Sequence, residues 1–145
     1  MIQSTLNVIA KIFAEQFLTP EETEELFNET VLMTLARATN ADTNIHPVEV
    51  ALVKTKVKEV TNQDVTDVDV RVAANSDLFE RTSLENCLIR INTILTTEQK
   101  VSIVKALSEV VQVDQKITQR EVSFFNRVSD SLNLTPADLM GLVVQ

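Results

Sequence analysis

Glycine occurs once in the 145 residues, at Gly141, and proline three times, at Pro20, Pro47 and Pro136. A loop that cradles phosphate needs glycines where backbone amides close on the ligand, and no such loop can be drawn here. Tryptophan and tyrosine are absent, and the aromatic content of 4% is six phenylalanines. That leaves little to stack on nucleobases or sugars. Basic residues number 13 against 21 acidic, a net charge of −8. Without a basic stripe to displace counterions, nucleic acid is excluded as a partner, and the charged partners expected are cations or basic protein surfaces. The single cysteine, Cys87, cannot form an internal disulfide, and the single histidine is His46. Any nucleophilic triad would have to pass through His46, and a tetrahedral zinc centre lacks ligands. No apolar run is long enough to span a bilayer, so no direct membrane insertion is expected. No secretory signal opens the chain, which makes a reducing cytoplasm the expected compartment.

What is present is apolar sequence at helical spacing. Hydrophobic residues make up 44% of the chain, enough for one core in a single domain spanning residues 1–145. Ile2, Leu6, Ile9, Phe13 and Phe17 form an N-terminal stripe. The opposite face, with Gln3, Asn7, Lys11 and Glu15, is nearly neutral, which favours core packing over a membrane surface. Thr19–Pro20 opens a helix to about Thr39, with Leu26, Phe27, Val31 and Leu35 inward and glutamates in its first turns. His46–Pro47 opens the next, with Val50, Val53 and Val57 buried. Thr66 with Asp69 marks a short helix, and Ser83 precedes one through Leu84, Leu88, Ile91 and Leu95. Thr96–Thr97–Glu98–Gln99 caps a helix to about Val111, with Val101, Val104, Leu107 and Val111 inward. Thr118 with Glu121 is a capping box whose helix presents Val122, Phe125 and Val128, and Thr135–Pro136 starts a short terminal helix through Leu139 and Leu142. No segment alternates strictly, so the expected class is all-α, a bundle of seven or eight helices.

The chain also repeats itself. A shift of 72 positions lays Leu35 on Leu107, Asp42 on Asp114, Ile45 on Ile117, Glu49 on Glu121 and Val50 on Val122. Each copy reads as an apolar helix, then Asp-x-x-Ile, then a helix whose third residue is Glu. Two helix–acidic loop–helix repeats, near residues 20–60 and 92–132, are expected to pack about a pseudo-twofold axis.

The two loops, Asn40–Ala41–Asp42–Thr43–Asn44–Ile45–His46–Pro47–Val48–Glu49 and Gln112–Val113–Asp114–Gln115–Lys116–Ile117–Thr118–Gln119–Arg120–Glu121, resemble the doubled Asp-Gly-x-Ile-x-x-x-Glu signature of the TerB-like superfamily. That group includes TerB tellurite-resistance proteins and the N-terminal domain of membrane-anchored DnaJ-like co-chaperones. The resemblance implies an all-helical bacterial module of the stress-response type, with an acidic face that binds metal ions and a protein partner associated with the membrane. The positions that carry over are Asp42, Glu49, Asp114 and Glu121. The glycine that follows each Asp in the family is Thr43 and Gln115 here. These loops therefore either take another turn geometry or tolerate strain.

Two accounts of the acidic quartet compete. Asp and Glu oxygens are the donors that hard cations such as Ca²⁺ or Mg²⁺ prefer. Equally, a Glu at the third residue of a helix stabilises its N-terminus and an Asp orders its loop, and Thr118 with Glu121 makes capping nearly sufficient for the second copy. Cys87, beside Leu88, reads as a buried small hydrophobe. The adjacent Phe124 and Phe125 cannot both centre one stripe and border a broad core face. The functional expectation is a non-catalytic module that binds a protein partner and a divalent cation through the two acidic loops. The alternatives are a metal-dependent hydrolase on a helical scaffold, for which histidine is lacking, and a purely structural domain without ligand.

Overall fold

The computed structural model describes residues 7–13, 17–39, 47–74, 83–111 and 119–135. Seven α-helices lie among them: α1 (Asn7–Phe13), α2 (Pro20–Thr39), α3 (Pro47–Thr61), α4 (Asp67–Ala74), α5 (Leu84–Ile91), α6 (Thr97–Val111) and α7 (Gln119–Ser131). No strand occurs among the described residues. The terminal helix expected from Pro136 lies outside them.

Helix starts are set by local side-chain chemistry. Three reciprocal capping boxes form among the described residues. Glu22 N–H donates to Thr19 Oγ1 at 3.1 Å while Thr19 N–H donates to Glu22 Oε1 at 3.0 Å. Thr66 and Asp69 make the same exchange before α4, at 2.9 and 3.0 Å. Thr96 and Gln99 make it before α6, at 3.0 and 3.1 Å. Ser83 caps α5 by accepting from the Asn86 N–H. Each exchange satisfies donors that a helix start otherwise leaves unpaired.

Many helices end on a left-handed residue, and in a chain with almost no glycine asparagine takes that place at two of the described helix ends. Asn62 (φ 60°) follows α3 and Asn133 (φ 56°) follows α7, asparagine being the residue after glycine that best tolerates this region. Asn62 N–H donates to the Lys58 carbonyl, a single αL bond. Asn133 N–H donates to Asp130 and Leu134 N–H to Ser129, the paired bonds of a Schellman motif, with Leu134 tucked into the core.

The bundle is organised around α2, which packs against α1, α3, α4, α6 and α7. Residues 29–36 are all buried, so the middle of α2 has no solvent face. The single stripe expected through Leu26, Phe27, Val31 and Leu35 is therefore too narrow: Leu32, Met33 and Ala36 are enclosed as well, along with Glu29, Thr30 and Thr34. A helix enclosed on all sides gives no amphipathic stripe. One buried cluster draws on all seven helices, including Val53 and Val57 of α3, Val70 and Ala73 of α4, Leu88 of α5, Leu107 of α6 and Val128 of α7.

The N-terminal stripe departs from expectation. Val8 and Ile9 of α1 are buried, but Phe17 lies outside the helix and is 100% exposed. The helix has ended by then, and Thr19 is committed to capping α2, so the spacing that linked Phe17 to Ile9 no longer holds. Ile2 and Leu6 lie outside the described residues.

Candidate functional site

The acidic loops fall in segments 40–46 and 112–118, so Asp42 and Asp114 lie outside the described residues, as do His46 and Thr118. Their frames are described. Helix α2 ends at Thr39 and α6 at Val111; α3 opens at Pro47 and α7 at Gln119. Both pairs of ends are 72 positions apart, as in the sequence repeat. Glu49 and Glu121 each occupy the third residue of their helices, with side chains outside the described residues. A donor set of four carboxylates suits a hard divalent cation and would answer its charge with oxygen ligands. Among the described residues, no group of three or more His, Cys, Asp or Glu is placed to hold a metal.

A groove of about 710 Å³ lies between α2, α3 and α6. Its apolar lining is Phe27, Val60 and Ala106, and its carboxylates are Glu59, Glu98 and Glu109. Lys56 lies nearby, bonded to Glu109 at 2.5 Å and to Glu59 at 3.0 Å. These bonds, that to Glu109 foremost, hold its ammonium above the usual lysine range. The groove also carries Lys105. No ion pair engages Glu98 or Lys105 among the described residues.

Among the described residues, the two groups with the largest shifts stand elsewhere, in the core. Glu29 is only 6% exposed. Its Oε1 accepts from the N–H groups of Val8 (2.9 Å) and Ile9 (3.1 Å), and Oε2 accepts from Val8 (3.0 Å). The carboxylate thus caps the N-terminus of α1. Burial pushes its pKa up to about 7, opposed by those two N–H groups and reinforced by Glu25 and Glu22. At the other end of α1, Arg90 Nη1 donates to the Ile12 carbonyl at 3.5 Å, and Lys11 pairs with Glu22. A short helix is thereby held by a carboxyl group at its positive end and a cation at its negative end. Cys87 is buried as expected, and burial, with Glu85 nearby, pushes its thiol up to about 11. It is protonated and inert at neutral pH.

The sequence reading singled out neither Glu29 nor the Lys56–Glu109 pair. A signal for the first existed: Glu29 lies three residues after Leu26, on the buried side of an apolar run. Lys56 with Glu59 is legible as an i,i+3 pair, but Glu109 reaches it from a helix 53 positions away.

No helix among the described residues is long and apolar enough to cross a membrane. No curated protein and no solved structure matches the chain. The family described as tellurite resistance protein TerB matches residues 28–142. That span includes both acidic loops, the second half of α2 and all of α3, α6 and α7, and excludes α1. With well over half of its length matched, in an all-helical fold carrying both motif frames, the chain belongs to the TerB family.

Proposed function

We propose that residues 1–145 form one non-catalytic, tellurite-resistance-type module, which binds a protein partner and holds a divalent cation at its two acidic loops. The observation that carries this reading is the doubled frame: two helix ends and two helix starts, each 72 positions apart, flank loops of the same acidic pattern. Asp42, Glu49, Asp114 and Glu121 would hold the ion, which would supply positive charge to neutralise the carboxylates and brace one loop against the other. Support for a non-catalytic role comes from the two strongly perturbed groups, since Glu29 and Cys87 are both enclosed in the core and Glu29 is engaged in capping α1.

Thermal unfolding of metal-stripped protein, titrated with Ca²⁺, Mg²⁺, Mn²⁺ and Zn²⁺, tests the cation. An ion that binds the native state raises stability by about 2.7 kcal/mol at a concentration of about 100 Kd. Asp42→Asn and Asp114→Asn are expected to abolish that gain while leaving metal-free stability nearly unchanged, since asparagine keeps most of the loop hydrogen bonding and loses the charge. Thr43→Gly with Gln115→Gly is expected to strengthen binding by relaxing the turns. A flat response to all four ions, in the wild type and the glycine variant alike, would leave the loops purely structural.

A further inference from the structure

Helix α1 has seven residues, too few to persist as a helix in water, so it exists only while it is docked. It packs on α2. Two contacts fix how it lies there: Val8 N–H donates to Glu29 Oε1 at 2.9 Å, and Lys11 Nζ pairs with Glu22. Glu22, Leu26 and Glu29 follow one another at steps of four and three, along one line of the surface of α2. Helix α1 therefore runs antiparallel to α2 along that line. Leu26 is fully buried, and Val8, Ile9 and Ile12 are the apolar residues that α1 brings to the core.

The catch at the N-terminus of α1 is a carboxyl group. Both oxygens of Glu29 accept from backbone amides of Val8 and Ile9, and no lysine or arginine reaches them among the described residues. The charged groups that face it from its own helix are Glu22 and Glu25. From α1 comes Lys11, which is engaged with Glu22, and from α5 comes Arg90, which reaches the Ile12 carbonyl at the far end of α1. Neutral, the carboxyl is a hydrogen-bonded polar group that an interior tolerates. Ionised and enclosed, it has two amides in place of its water and two like charges on the same helix; ionised and released, it is hydrated.

We propose that α1 is a pH-gated latch on α2: it stays closed while the Glu29 carboxyl keeps its proton and opens as that carboxyl ionises, uncovering the line from Glu22 to Glu29. The direction follows from proton linkage. In the closed form burial holds Glu29 at about 7, and release returns it toward its ordinary 4.5. The closed form thus binds more protons between those values. Closure is fully supported below 4.5 and loses that support as pH climbs through about 7.

Amide hydrogen exchange tests the latch, followed residue by residue by NMR on the full chain without added metal. It is run at pH 5 and pH 8 and corrected for the intrinsic pH dependence of exchange. Lys11, Ile12 and Phe13, whose amides close the turns of α1, are expected to lose protection by about tenfold or more between the two. Leu35 and Leu107, fully buried in α2 and α6, are expected to stay better protected than α1 at both pH values, because the opening is local. Glu29→Gln, whose amide oxygen still accepts from Val8 and Ile9 and which cannot ionise, is expected to keep α1 protected at both. Ile9→Ala, which weakens docking and leaves the carboxyl in place, is expected to lower protection at both while the pH ratio persists. Protection of α1 equal to that of Leu35 at both pH values would mean that α1 opens only with the whole fold, and overturns the latch. Protection that is unchanged or rises towards pH 8 overturns the gate. A fall with pH that survives in Glu29→Gln overturns Glu29 as the catch.

Discussion

The two helix pairs, α2 with α3 and α6 with α7, share an apolar centre and differ in what surrounds it. Val31, Leu32 and Leu35 of α2 are buried, and so are Ile103, Val104 and Leu107, each 72 positions on. Outside that triad the pairs diverge. Leu26 and Phe27 of α2 correspond to Glu98 and Gln99 of α6, and Glu29 corresponds to Val101. The first helix is enclosed by α1 and α4 as well as its neighbours in the repeat, so even its polar positions are internal. The second begins polar and leaves one side to the groove. The lesson is that a repeated sequence preserves the positions where the copies meet a common core, while the residues between them follow whichever extra element happens to cover each copy.

The largest expected effect tests the shared centre. Leu35→Ala and Leu107→Ala each remove a fully buried side chain and are expected to cost about 2–5 kcal/mol apiece in urea unfolding. Leu35 lies in the more completely enclosed helix, where the site can relax less, so its cost is expected to be the higher of the two. A Leu107→Ala cost well above that of Leu35→Ala would mean that α6, and not α2, is the better-packed centre.

Glu29 against Val101 comes next. A carboxyl raised to about 7 by burial contributes stability that is fully present below its ordinary value of 4.5 and is lost as pH climbs through about 7. Between pH 5 and 8 this group alone is expected to lower wild-type stability by roughly 2–3 kcal/mol, because the ionised form is better solvated in the unfolded chain. Glu29→Gln, which cannot ionise, is expected to remove that part of the slope. Val101→Gln, the matching change in the second copy, is expected to leave it in place. Chemical denaturation of all three proteins at both pH values gives the result. A slope retained by Glu29→Gln would assign it to other groups.

The same contrast explains what could be read in advance. The caps of α2, α4, α5 and α6 were legible because each is a local exchange over three residues, as with Thr19 and Glu22 or Thr96 and Gln99. Val50, Val53 and Val57 were legible because α3 has one buried face. The all-round burial of α2 was not, since it depends on α1, α4 and α7 arriving from distant parts of the chain. Glu29 was missed for the same reason: its partners, the amides of Val8 and Ile9, lie 20 and 21 positions away and carry no side-chain signature. Of the candidate site, the sequence carried the doubled pattern and its helix frame. The groove was hidden, because Phe27, Glu59 and Val60 meet α6 from distant parts of the chain.

The smallest effect bears on the acidic loops. Thr96 caps α6 in a described box, donating nothing to the core and accepting from Gln99 N–H at 3.1 Å. Thr96→Ala is therefore expected to cost roughly 1 kcal/mol. Thr118 precedes α7 with Glu121 three residues on, so Thr118→Ala is expected to cost about the same if the matching box forms, again roughly 1 kcal/mol. Glu121→Gln is expected to cost less, because its amide oxygen still accepts the reciprocal bond, as Gln99 does for Thr96 N–H at 3.0 Å. Repeating the three denaturation curves with the stabilising divalent ion separates the two roles of Glu121. As a cap alone, its substitution shifts stability equally with and without the ion. As a ligand, Glu121→Gln loses the ion-dependent increment that Thr96→Ala retains in full. A loss in each variant that is the same with and without the ion would assign Glu121 to capping and leave the cation to the other three carboxylates.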